Sequence, residues 1–264
     1  IFLSYRADEV ITGAVNSTKE SPCLYDFVSP DGIRHQVWKM TDERLVGDVA
    51  RAFESIDSIY IADGHHRAAS AVKVGLKRRE ENPGFTGDEE FNFFLAVLFP
   101  DEELKILPYN RVVKDLNGLS KEAFLSKVEE NFELSVSDVP VSPDKKGTYG
   151  MFLDNTWYLL KAKGKILSDD AVDGLDVAVL QNNLLEPVLG IIDPKTDKRI
   201  DFVGGIRGLK ELERRCSLDC VVAFSMYPTS ISELFAVSDN NRLMPPKSTW
   251  FEPKLRSGLF IHRI

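Results

Sequence analysis

The chain has 264 residues, long for one domain and sufficient for two. Hydrophobic residues make up 43% and charged residues 28%, the balance of a globular protein rather than a disordered one. The formal net charge of -8 argues against a general nucleic-acid binder, and the three cysteines, Cys23, Cys216 and Cys220, make no disulfide framework. No apolar stretch is long enough to span a bilayer, so a reducing, cytoplasmic setting without a membrane is expected.

The chain opens without Met on a short apolar run, Ile1-Phe2-Leu3, which reads as the start of a fragment or processed product. Runs Cys23 to Val28 and Arg34 to Met40 flank Ser29-Pro30-Asp31-Gly32 and predict a hairpin. Thr41 is expected to cap a helix whose apolar face carries Leu45, Val46, Val49 and Phe53. Ser58 to Ala62 predicts a strand and His65 to about Glu80 a helix, with Lys77, Arg78 and Arg79 where the macrodipole favours positive charge. Phe91 to Phe99 reads as a strand buried on both faces, and Lys105 to Leu107 as a second short strand.

A domain boundary is expected at Asn117-Gly118, giving domains 1–117 and 118–264. Ser120 then caps a helix to about Asn131, followed by a strand, Phe132 to Val136, and a hairpin of Thr148 to Leu153 and Thr156 to Ala162 around Asp154-Asn155. Asp176 to Leu189 is amphipathic and predicts one helix. Leu209 to Arg215 and Ile231 to Ser238 read as helices; Asp201 to Val203, Cys220 to Ser225 and Leu259 to His262 read as strands. Hairpins and helices interleave without a sustained βαβα repeat, so the fold class is α+β.

Asp63-Gly64-His65-His66-Arg67 stands out between a predicted strand and helix. Gly64 permits a positive φ and close backbone approach. The helix start exposes unpaired N–H groups and a positive dipole end. Arg67 adds a permanently charged fork suited to phosphate oxygens, and His65 and His66 add donors that can carry charge near neutral pH. A plain connection needs only Asp63 as N-cap and Gly64 as turn residue. Here an arginine and two of the chain's four histidines crowd the same helix start, which points to an anion site. Adjacent histidines do not share a helix face, so zinc is the weaker reading. Arg111, just after Tyr109, is a second candidate clamp for phosphate or carboxylate. Gly204-Gly205-Ile206-Arg207-Gly208 reads as a tight turn, and Lys247-Ser248-Thr249 lacks the glycines of a P-loop.

Four segments carry a family resemblance. Ile61-Ala62-Asp63-Gly64-His65-His66-Arg67 and the closing run from Met244 through Pro253 to Leu259 resemble signatures of the DUF1015 family. Leu107 to Val112 and Leu184 to Ile191 fall in the same order. The turn is similar to the phosphate-binding turn of the ParB/sulfiredoxin superfamily, whose free serine kinases carry the same pentapeptide.

That resemblance implies a ParB/sulfiredoxin-like N-terminal domain, here truncated at its start, followed by a smaller mixed α/β domain. It implies ATP or ADP held by Gly64, His65, His66, Arg67 and Arg111, Mg²⁺ at Asp63, and Asp63, His65, His66 and Arg67 as catalytic residues. The activity it implies is phosphoryl transfer to a small hydroxyl metabolite, with free L-serine first. Partners would be the nucleotide, the small-molecule substrate and a second copy in a homodimer. Relatives often carry an aromatic residue where this chain has Ala68, and the superfamily's kinases place a catalytic glutamate in a segment upstream of Ile1. A chain without that segment would be a nucleotide-binding switch rather than an enzyme. A third reading assigns the turn to a non-nucleotide anion.

Overall fold

A computed structural model describes residues 1–252 and 254–263; Pro253 of the closing motif lies outside the described residues. The chain forms two compact units. Ile1–Leu104 together with the tail from Lys254 makes the first, and the stretch from Lys105 up to that tail makes the second. The boundary therefore falls at Leu104/Lys105 rather than Asn117/Gly118. The second unit is also the larger.

In the first unit, β1 (Phe2–Tyr5) leads into α1 (Glu9–Lys19), β2 (Tyr25–Val28), β3 (Arg34–Val37), α2 (Glu43–Glu54), β4 (Tyr60–Asp63), α3 (His65–Glu81) and β5 (Val97–Pro100). β1 is central, antiparallel to β4 and parallel to β5. The sequence reading missed α1, whose run of Val10, Ile11, Thr12 and Gly13 is poor helix material. Asp8 starts it by accepting the amides of Val10 and Ile11 at 2.9 and 3.1 Å, and Ile11 and Ala14 bury its inner face. Asp42, not Thr41, caps α2, taking the Arg44 amide at 2.9 Å. The hairpin of β2 and β3 forms as expected.

Phe91 to Phe99 is not one doubly buried strand. Residues Glu90–Asn92 form a 3-10 turn, Phe93, Phe94 and Leu95 are exposed, and pairing begins only at Val97. β5 lies at the sheet edge with β1 as its single neighbour, so its apolar run has little to pack against.

The second unit contains β6 (Lys105–Leu107), β7 (Tyr109–Val113), α4 (Lys121–Asn131), β8 (Phe132–Ser137), β9 (Thr148–Leu153), β10 (Thr156–Ala162), α5 (Asp176–Leu180), β11 (Ile200–Gly204), α6 (Leu209–Leu218), β12 (Val222–Met226), α7 (Ile231–Asp239) and β13 (Trp250–Glu252). Its main sheet is antiparallel, in the order β11-β7-β12-β9-β10-β8. Both faces are covered, and strand alternation sorts the side chains. Val113, Met151, Leu153 and Phe224 join one cluster with Phe124, Leu180 and Leu184; Val112, Phe152 and Ala223 join another with Leu212.

Three expectations fail here for local reasons. Asp176 to Leu189 is not one helix: α5 ends at Leu180, and Gln181–Leu185 is a π turn closed by the Glu186 amide to the Gln181 carbonyl at 2.9 Å. The Asn183 side chain donates to the Val179 carbonyl at 2.9 Å, competing with the regular ladder. Cys220 does not open a strand, because α6 runs on to Leu218 and β12 starts at Val222. No strand forms from Leu259 to His262, where the left-handed Gly258 (φ 83°) precedes irregular backbone. The extended segment is instead β13, paired with β6. No helix among the described residues is long and apolar enough to cross a membrane.

Candidate functional site

β4 delivers Asp63 to the end of the first unit's sheet, opposite Phe2 of β1. Gly64 then turns the chain through the left-handed region (φ 92°, ψ 29°) and serves as N-cap of α3. Asp63 belongs to the strand and does not cap the helix; its Oδ1 accepts the Gly64 amide at 2.8 Å. Among the described residues no side chain caps α3. The Ala68 amide bonds the Gly64 carbonyl at 2.9 Å, so the helix's own ladder begins only there. The amides of His65, His66 and Arg67 precede it, at the positive end of the dipole.

Arg67 folds back over this turn. Its Nη2 lies 3.7 Å from Asp63 Oδ2, and a Cβ at Gly64 would stand 2.8 Å from Nη2 and 2.9 Å from Nε. The guanidinium thus occupies the space that glycine leaves open. His65, His66 and Arg67 are exposed, Asp63 and Gly64 half-buried, so the turn faces solvent. The sequence reading missed a second cation. Lys254, from the returning tail, places Nζ 4.0 Å from the same Asp63 Oδ2. One carboxylate therefore organises two cations beside a helix start. Its own chemistry also fits it to a divalent cation, since Mg²⁺ sites commonly take a single carboxylate together with phosphate oxygens.

Arg111 sits on β7 of the second unit, 3% exposed, with its guanidinium donating to the Tyr109 carbonyl and, at 3.2 Å, to the Lys247 carbonyl. It lines a small, mostly apolar cavity with Val177, Leu185 and Ile200. Cys216 and Cys220 line a cleft of about 430 Å³ with Lys121 and Asp154. Burial pushes the Cys216 thiol up to about 12, so it is not set up as a nucleophile.

Solved structures similar to this chain include a glutamate-to-alanine variant of a free serine kinase in complex with ADP, at 12% identity, covering 95% of this chain and 83% of that one with a TM-score of 0.39. A free serine kinase in complex with AMP matches at 10% identity, 95% and 83% coverage and a TM-score of 0.37. A conserved hypothetical protein from Pyrococcus furiosus matches at 12% identity, 95% and 86% coverage and a TM-score of 0.37. No curated protein matches the chain. The family model described as a protein of unknown function, DUF1015, matches residues 1–178, and the chain belongs to that family.

Proposed function

We propose that the turn holds the phosphates of ATP or ADP and that the protein passes a phosphoryl group to the hydroxyl of a small metabolite, free L-serine first. The observation that carries this reading is the Arg67 guanidinium packed over left-handed Gly64 at an uncapped, solvent-facing helix start. Phosphoryl transfer asks the protein chiefly to position the reactants and neutralise charge. Gly64 admits close approach, the amides of His65, His66 and Arg67 offer donors, and Arg67 and Lys254 offset negative charge. Mg²⁺ would supply further neutralisation at the phosphates, and Asp63 is the turn's carboxylate for it. Asp63 is equally the group that could take the proton released as the acceptor oxygen bonds to phosphorus and the nucleotide's phosphoryl bond breaks.

A second reading, a non-catalytic nucleotide switch, draws support from Asp63 itself. One of its oxygens accepts the Gly64 amide and the other faces Arg67 and Lys254, so the carboxylate is already committed to shaping the turn. Incubation of the protein with ATP or ADP, Mg²⁺ and L-serine separates the two. The kinase reading expects phosphoserine, lost in Asp63→Asn and Arg67→Ala. Nucleotide binding without product leaves the switch, and no nucleotide binding at all removes both.

A further inference from the structure

Arg111 presents a problem of charge that the turn in the first unit does not share. Its guanidinium is buried in the second unit, and among the described residues no carboxylate lies within ion-pair distance of it. The Tyr109 and Lys247 carbonyls take part of its donor set, and the Phe202 ring lies 5.6 Å from its central carbon. The Nε–H group has no protein acceptor among the described residues. Burial, partly opposed by Tyr149, lowers its pKa to about 10, still well above neutral, so the charge persists. A buried cation without a counterion is costly, and removing that cost requires a negative guest or access to water.

The adjoining cavity constrains the guest. At about 30 Å³ it has room for a small ion. Its walls are mostly apolar, with Val177, Leu185, Ile200 and Pro245 beside Arg111. Gln181 also lines it, with its amide Nε2 already donating to the Ile191 carbonyl at 2.7 Å. One guanidinium balances one negative charge. A doubly charged guest would bring an uncompensated charge into an apolar wall, whereas a weakly hydrated monovalent ion loses little on leaving water. We propose that the cavity beside Arg111 binds one small monovalent anion of the halide class, which neutralises the guanidinium inside the second unit.

Bromide is the probe, because it scatters anomalously and matches chloride in charge. Crystals of the whole chain soaked in sodium bromide should show an anomalous peak in this cavity. The thermal unfolding midpoint, followed at constant ionic strength, should rise as gluconate is replaced by chloride or bromide and then saturate. At ten times the dissociation constant the folding equilibrium shifts by roughly tenfold. In Arg111→Met, which keeps the side chain's length and loses its charge, that dependence should vanish. A cavity holding only water in the bromide-soaked crystal overturns the proposal. So does a midpoint that rises equally in gluconate, or a rise retained in Arg111→Met. Should that variant fail to fold, the crystal and the anion exchange on the unaltered protein still decide. None of these outcomes bears on nucleotide binding at Asp63 to Arg67.

Discussion

At Gly64 the backbone and a neighbouring side chain impose the same requirement. A φ of 92° costs an L-residue about 1–2 kcal/mol, and an added methyl would push the Arg67 guanidinium out of its place. Gly64→Ala should therefore lower the unfolding midpoint modestly and weaken nucleotide binding by tenfold or more, readable by calorimetric titration. Arg67→Ala makes the useful contrast. Its ion pair with Asp63 is exposed and 3.7 Å long, worth about 0–1 kcal/mol, so stability should hardly change while nucleotide affinity falls. Equal loss of affinity and stability in Arg67→Ala would count against the anion site. The residues from Asp63 to Arg67 could be picked out from sequence because five consecutive positions need no tertiary information. Lys254 could not, since nothing in its spacing ties it to Asp63; it stood inside the quoted closing motif without a role.

Among the elements, those whose signals are local were legible. The hairpins around Gly32 and Asp154-Asn155 announce themselves through turn residues with positive φ, and α4 through Ser120, whose hydroxyl accepts the Ala123 amide at 3.3 Å. α1 and β13 were missed because tertiary partners decide them: β13 is extended by pairing with β6, far away in sequence. α3 shows what local signals leave out. It is a helix of 17 residues with none buried, and Val72 and Leu76 face solvent. Most helical stability in proteins comes from packing of an apolar face. Hydrogen exchange should accordingly find α3 amides exchanging far faster than those of β9, where every residue is buried. Bound nucleotide should slow exchange in α3, because a ligand at its first turn stabilises the helical state. Protection in α3 equal to that of β9 without ligand would contradict this account.

For the molecule as a whole, the clearest pH response should come from Asp176. Burial pushes its carboxyl up to about 6, against the Gly147 amide at 2.9 Å, the Tyr149 hydroxyl at 3.4 Å and the nearby Lys146, with Glu233 adding repulsion. An unfolded aspartate titrates near 3.9. Between about pH 4 and 6 the folded chain thus holds a proton that the unfolded chain has lost. Stability should fall as pH rises through that window, by as much as about 3 kcal/mol. Denaturant midpoints measured across it should slope downward in the native chain and flatten in Asp176→Asn; an unchanged slope would place the titration elsewhere. The two-unit division has a consequence for synthesis. The second unit is one unbroken stretch, so on the ribosome it can finish folding while the first still waits for its tail. Since that tail carries Lys254, the whole second unit has to be translated before Asp63 meets its second cation.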